Sequence, residues 1–278
     1  MRVTLSRCGW LLLLFGVVAP VQATDTRFDA VDASVDALVA EHHLGGAVLL
    51  LAQDGVVVHQ KAYGSYALDT RVPVASASKW MSAALIARLV DQGRMGWDDP
   101  ISTYLPDAPA DKRAITLRQL FSMTSAIPGG DLHGASPCLA DRATTLAACS
   151  SEILQLPLTG TPGTVMDYGG NAMQVAGALA ERATGESWSA LFRREVATPL
   201  GMTGTQYSFF PNIDTANPRI AGGLFSTAPD YMQLLLMWQA RGKSTGQRLL
   251  NSATVSAMDR DQTVGTRVIS SPLPGAGY

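Results

Sequence analysis

A chain of 278 residues is long enough for one or two domains and a sizeable core, and 47% apolar residues with no low-complexity tract describe an ordered globular protein. A formal net charge of -2 without a basic cluster excludes the electrostatic footprint of a nucleic-acid binder. Lysine is scarce, four residues among 21 basic ones, so a lysine inside an apolar stretch is conspicuous.

Residues 1–23 read as a cleavable signal peptide. Arg2 and Arg7 precede an apolar run from 8 to 21 that is too short to span a bilayer comfortably, and Val21-Gln22-Ala23 offers small residues for cleavage. The expected location is therefore periplasmic or secreted, with no stable membrane anchor, and Cys8 leaves with the signal. Two cysteines remain, Cys138 and Cys149. They either close a short loop or stay as buried thiols, and an oxidising compartment favours the disulfide.

Apolar positions at Phe28, Val31, Val35, Leu38 and Val39 fit a helical stripe that ends at His42-His43-Leu44-Gly45. Adjacent histidines point to different sides and have no third ligand nearby, so they mark a helix end rather than a metal site. No other residue set calls for a metal or a cofactor. Residues 46–63 form two β-rich runs joined at Asp54-Gly55, a hairpin signal.

Residues 72–93 predict one long helix, apolar on almost every side, with Pro73 and the Ser76 to Ser78 cluster at its start and Gly93 as its stop. Only Ser82, Arg88 and Asp91 interrupt the apolar body after Trp80, so the helix belongs in the interior. Ser76 and Lys79 lie three residues apart and share a face at the helix mouth. A hydroxyl beside a buried amine is a nucleophile beside a base, and burial with the helix dipole would depress the pKa of Lys79. An N-capping serine beside a snorkelling lysine is the alternative.

Thr116 caps a short helix to about residue 123, and Pro128-Gly129-Gly130 opens a loop that holds His133, a solvated residue. Helical patterning returns over 143–156. Tyr168 stands at a loop-to-helix junction before a helix over 171–184 closed by Gly185, where its phenol either packs or relays a proton. Further helices are predicted over 188–197 and from Ser226 or Thr227 to about 241. A weakly helical 249–259 and an irregular tail follow.

These pieces occur in a recognisable order. V-A-S-A-S-K-W, then D-D-P-I-S-T-Y-L-P with I-T-L-R-Q-L-F-S-M-T-S-A-I-P, then P-G-T-V-M-D-Y-G-G-N, then G-G-L-F-S-T-A-P-D run collinearly, and the chain resembles the serine β-lactamase and penicillin-binding superfamily, on the side of class C β-lactamases and family VIII carboxylesterases. The resemblance implies an α+β fold of the α/β sandwich type. An antiparallel sheet flanked by helices (24–66 and 217–278) would join a mainly helical portion (67–216). It also implies an acyl-enzyme on Ser76, with Lys79 and Tyr168 moving protons and the Ser76 N–H as one oxyanion donor. Small esters, β-lactams or peptidoglycan-like amides are the implied substrates. No residue pattern specifies an oligomeric state.

Three departures from the family pattern qualify this reading. Gly170 stands where the tyrosine motif usually has asparagine, with Asn171 one place later. Both are candidate substrate-binding positions, and the loss of the amide tilts the expectation toward esters. Met123 and Ala126 replace a histidine and a glycine, a change expected to alter packing rather than chemistry. The third motif, a Lys-Thr-Gly or His-x-Gly strand, is not found before Tyr278. Lys243-Ser244-Thr245-Gly246 imitates its letters from a polar loop without strand character. The C-terminal strands that would cover the hairpin edge and supply the second oxyanion donor are thus expected to be missing, and the alternative function is a truncated, impaired or non-catalytic binding protein.

Overall fold

Asp54 and Gly55 both adopt left-handed conformations, with φ of 51° and 81°, and turn a run of β-formers back on itself. This two-residue turn joins β1 (Gly46–Gln53) to β2 (Val56–Gly64) as an antiparallel pair. A computed structural model describes residues 26–130, 136–208 and 215–273. Residues 1–23, read as a signal peptide, His133 and the P-G-A-G-Y tail lie outside the described residues. Before the hairpin runs α1 (Asp29–Glu41), which ends where His43 turns to a positive φ.

The apolar stripe of α1 does not dock as its pattern suggests. No α1 residue is buried, and Val31 and Leu38 are 41% and 50% exposed. The helix is instead held to β2 through Asp32. Its carboxylate accepts from Tyr63 Oη at 2.5 Å and Lys61 Nζ at 3.1 Å, and lies 2.7 Å from His59 Nε2. Phe28 stacks on the His59 ring. The Tyr63 hydroxyl above all, then His59 and Lys61, hold the Asp32 carboxyl down at about 2 against an ordinary 3.8. A depressed carboxylate pKa contributes stability that is complete above the unfolded value and is lost as pH falls through the folded one. The wild-type thermal midpoint is therefore expected to drop as pH falls from about 4 to about 2, and Asp32→Asn to flatten that part of the profile, as followed by circular dichroism.

The interior is built on α2 (Ser78–Asp91) and α6 (Asn171–Thr184). Strand β3 (Val72–Pro73) precedes α2, and between the two helices come α3 (Ile101–Tyr104), α4 (Leu117–Phe121), α5 (Leu146–Ile153) and β4 (Val165–Asp167). Met81, Leu85, Ile86 and Leu89 of α2 are fully buried, at about 2 kcal/mol each, which exceeds anything helix propensity supplies. Each polar interruption of α2 has partners. Ser82 bonds Ile220 O, Arg88 reaches Glu195 and Leu249 O, and Asp91 accepts from Asn251 N and Thr254 Oγ1.

The helix begins later than its sequence pattern. Val72 and Pro73 pair as a strand with Phe225 and Ser226, and a 3-10 turn at Ala75–Ala77 precedes α2. Thr116 and Gln119 close a reciprocal capping box at α4, and Gly185, at φ 73°, terminates α6 as expected. Met123 and Ala126 both take positive φ, 59° and 60°. A glycine would sit at Ala126 without the cost of about 1–2 kcal/mol that an L side chain meets there.

Cys138 and Cys149 form a disulfide with Cα atoms 5.2 Å apart, and it ties a 3-10 turn at Pro137–Ala140 to α5. Opening an 11-residue separation of this kind removes a constraint on the unfolded chain worth about 3 kcal/mol. Cys138→Ala with Cys149→Ala is expected to lower unfolding free energy by about that amount in denaturant titrations, matched by the reduced wild type.

Beyond α6 the chain forms α7 (Trp188–Phe192), continued by a π-helical turn at Arg193–Ala197 and stopped by Gly201 at φ 69°. Then β5 (Gln206–Tyr207) and β6 (Leu224–Ser226) complete a sheet in the order β3-β6-β5. Thr227 caps α8 (Ala228–Gln239), which packs along β1. Lys243–Ser244 (β7) and Gln247–Arg248 (β8) form a small hairpin, a correction to the strandless loop read from the sequence. After α9 (Ser252–Met258), the tail read as irregular contains β9 (Arg267–Ser270), which pairs in parallel with β4. Among the described residues β1 and β2 pair only with each other.

Candidate active site

The turn that carries Ser76 is held to β6 and to α8 by one backbone bond and two side chains, Ser78 of α2 and Tyr231 of α8. Val74 N–H donates to Leu224 O, Leu224 N–H donates to Ser78 Oγ, and Tyr231 Oη donates to Ala77 O, at 3.0, 3.1 and 3.0 Å. These contacts hold Ala75 at φ 46°, a left-handed value unfavourable for a residue with a Cβ, immediately before the exposed Ser76. Ser82 Oγ, pinned to Ile220 O at 2.6 Å, fixes the next turn of α2 to the same segment.

Lys79 therefore points where the fold supplies acceptors. Its Nζ donates to Ser76 Oγ at 3.0 Å and to Ala221 O at 3.1 Å, and stands 4.7 Å from the centre of the Tyr168 ring. The amine thus meets a hydroxyl, a carbonyl and an aromatic face. The side chain is half-buried rather than enclosed, a correction to the buried amine read from the apolar helix. The Lys79–Ser76 contact is short enough to pass a proton between amine and hydroxyl, whereas Tyr168 meets the amine through its ring face.

Tyr168 is placed by backbone packing. A Cβ on Gly129 would lie 2.1 Å from Tyr168 O, so the 128–130 loop reaches the tyrosine only because it lacks one. Tyr168 N–H donates to Ser270 O at 3.1 Å, which ties the residue to β9. The ring then faces Lys79 from the mouth of α6.

A cavity of about 140 Å³ opens at this point, lined by Ser76, Lys79, Leu139, Gly170, Gln174 and Arg219 among others. Asn171 does not line it. Its Nδ2 donates to Pro128 O at 2.9 Å, and its Oδ1 is buried with no hydrogen-bond partner among the described residues. The displaced asparagine thus braces the loop beside Gly129. Gly170 is in the cavity wall and offers no side chain. A larger cavity of about 380 Å³, between Leu105, Pro109, Ser150 and Glu181, holds no serine–lysine pair. Among the described residues no group of histidine, cysteine, aspartate and glutamate could hold a metal ion.

Sequence reasoning missed Gln174, Arg219 and the Ala221 carbonyl. Gln174 was detectable as a polar residue three places into an apolar helix. A backbone carbonyl leaves no mark on sequence.

A sequence model of the β-lactamase family matches residues 31–277. The chain belongs to this β-lactamase family. It is similar to Penicillin-binding protein 4 of Amycolatopsis lactamdurans, 34% identical over 182 residues that make up 60% of this chain and 46% of the relative. Similarity to Esterase EstB of Burkholderia gladioli is 30% over 193 residues, 62% of this chain and 49% of EstB. The chain thus spans about half the length of either relative. The crystal structure of a β-lactamase-type protein from Bacteroides dorei DSM 17855 superimposes with a TM-score of 0.79 at 36% identity, over 90% of this chain and 73% of that one. The β-lactamase fold and its serine hydrolase family are thereby established for this chain, and the α+β architecture expected from its motifs is observed.

Proposed function

We propose that the protein is an exported serine hydrolase that works through an acyl-enzyme on Ser76. The observation that carries the reading is the contact of Lys79 Nζ with Ser76 Oγ at 3.0 Å, with Nζ over the Tyr168 ring. In this reading Ser76 Oγ attacks an acyl carbonyl while its proton passes to Lys79 and Tyr168, which return a proton to the leaving group. Water, activated by the same pair, then releases the acid. Ser76 lies in the 3-10 turn Ala75–Ala77 ahead of α2, where the first amides have no intrahelical acceptor, so its N–H is available as an oxyanion donor.

Small esters are the favoured substrates, with β-lactams or peptidoglycan-like amides as the second class. An amide substrate gains from a side-chain amide in the cavity wall. Gly170 supplies none, the Asn171 amide donates to Pro128 O, and the Gln174 amide is engaged by Asn217, Pro218 and Ile220. A volume of about 140 Å³ suits a short acyl group. The Cys138–Cys149 disulfide supports export to an oxidising compartment. Incubation with a fluorophosphonate followed by peptide mass spectrometry is expected to place the adduct on Ser76; a folded sample without an adduct would overturn the reading.

A further inference from the structure

Residues 217–223 form one wall of the Ser76 cavity and are held from several sides. Gln174, fully buried in α6, donates through Nε2 to Asn217 Oδ1 at 2.8 Å and to Pro218 O at 2.9 Å, and its Oε1 accepts from Ile220 N at 3.1 Å. Asn217 Nδ2 in turn donates to Cys138 O and Asp141 O, at 2.7 and 3.1 Å. Two glycine amides, of Gly222 and Gly223, donate back to Arg219 O at 3.1 and 2.7 Å. Residues on both sides of Arg219 are therefore clamped, and its own backbone is used in the turn.

The side chain carried at the crest of this turn is an exposed guanidinium. It lines the same cavity as Ser76 and Lys79, among the described residues no carboxylate lines that cavity, and Arg219 forms no ion pair among them. Arg219 thus brings a cation to a small cleft whose described lining holds no anion to compensate it. A planar donor fork on a rigid turn is the arrangement that recognises a carboxylate with two parallel hydrogen bonds.

We propose that Arg219 is the specificity-determining residue of the site and selects acyl substrates that carry a carboxylate. The inference rests on the assignment of Ser76 as nucleophile, but the recognition is a binding event that can be measured apart from turnover. Lys79 is committed to Ser76, Ala221 and Tyr168, whereas Arg219 sits on a separate element and is available to the far end of a bound acyl group.

The test compares para-nitrophenyl butyrate with para-nitrophenyl hydrogen succinate, which differ by a methyl and a carboxylate at the end of the acyl chain. The ratio of kcat/KM for succinate over butyrate is expected to fall about tenfold or more in Arg219→Gln, to be largely kept in Arg219→Lys, and to decline with added salt in the wild type. An unchanged ratio in Arg219→Gln overturns the proposal. A second measurement separates this failure from that of the nucleophile. Succinate is titrated calorimetrically into Ser76→Ala and into Ser76→Ala with Arg219→Gln. Binding by the first protein, weakened about tenfold or more in the second, supports Arg219 even where neither ester is hydrolysed. No binding by either, or equal binding by both, refutes it. Fluorophosphonate labelling of the wild type reports on Ser76 independently.

Discussion

Ser76→Ala is expected to lower ester turnover by at least about a thousandfold and to abolish fluorophosphonate labelling, while leaving the fold intact. Ser76 is exposed and contributes no buried contact, so removing its hydroxyl leaves the packing unchanged. The hydrogen bond lost is the one from Lys79, and Lys79 keeps Ala221 O as a second acceptor. Turnover of para-nitrophenyl butyrate and the mass of the labelled protein read the loss of function. Near-ultraviolet circular dichroism checks that the aromatic contacts around α2, such as Trp80 against Trp238, persist. Residual hydrolysis above about a tenth of the wild-type rate would show that another group attacks the carbonyl.

Lys79→Ala is expected to reduce kcat by about a hundredfold to ten-thousandfold, the range that a positioned proton carrier contributes. KM should change far less, because Lys79 Nζ faces the serine and the Ala221 carbonyl and acts on the reacting proton. Tyr168→Phe keeps the ring under the lysine and removes only the hydroxyl, so it isolates the phenol's share. A smaller loss in kcat than for Lys79→Ala is expected if both groups carry the proton. Loss of the lysine's hydrogen bonds costs on the order of 1 kcal/mol, a shift of about 2–4 °C in thermal midpoint, which is too little to account for such a rate effect. A Lys79→Ala protein with wild-type kcat would remove the base from the proposed mechanism.

The position of the lysine also explains why the turn is built as it is. Ala75 occupies a left-handed conformation, and that cost is borne by Ser78, Tyr231 and the β3–β6 pairing around it. The same contacts deliver Ala221 O to Lys79. A loosened turn would therefore misplace the serine and the lysine together.

Much of this architecture is written in local chemistry. Asp54-Gly55 specifies a tight hairpin because both residues tolerate positive φ, and Thr116 with Gln119 specifies a helix start because each side chain satisfies the other's amide. The three-residue spacing of Ser76 and Lys79 put them on one face, and motif order along the chain disclosed the family. Contacts between distant segments had no such signature. The apolar stripe of α1 suggested a core contact, yet an aspartate meeting three polar side chains of β2 makes the attachment. The strand at 267–270 exists because it pairs with 165–167, and its own residues do not announce it.

For the site itself, residue types offered Ser76, Lys79 and Tyr168 only as candidates, and the order of motifs along the chain joined them into one expectation. Their meeting depended on side-chain and backbone packing across about 90 and 140 residues of sequence, which place Tyr168 and the Ala221 carbonyl around the Lys79 amine. The same packing turned Asn171 out of the cavity and set Arg219 into its wall. Chain order can state which groups are available, whereas their distances arise from the tertiary contacts that fix each backbone segment.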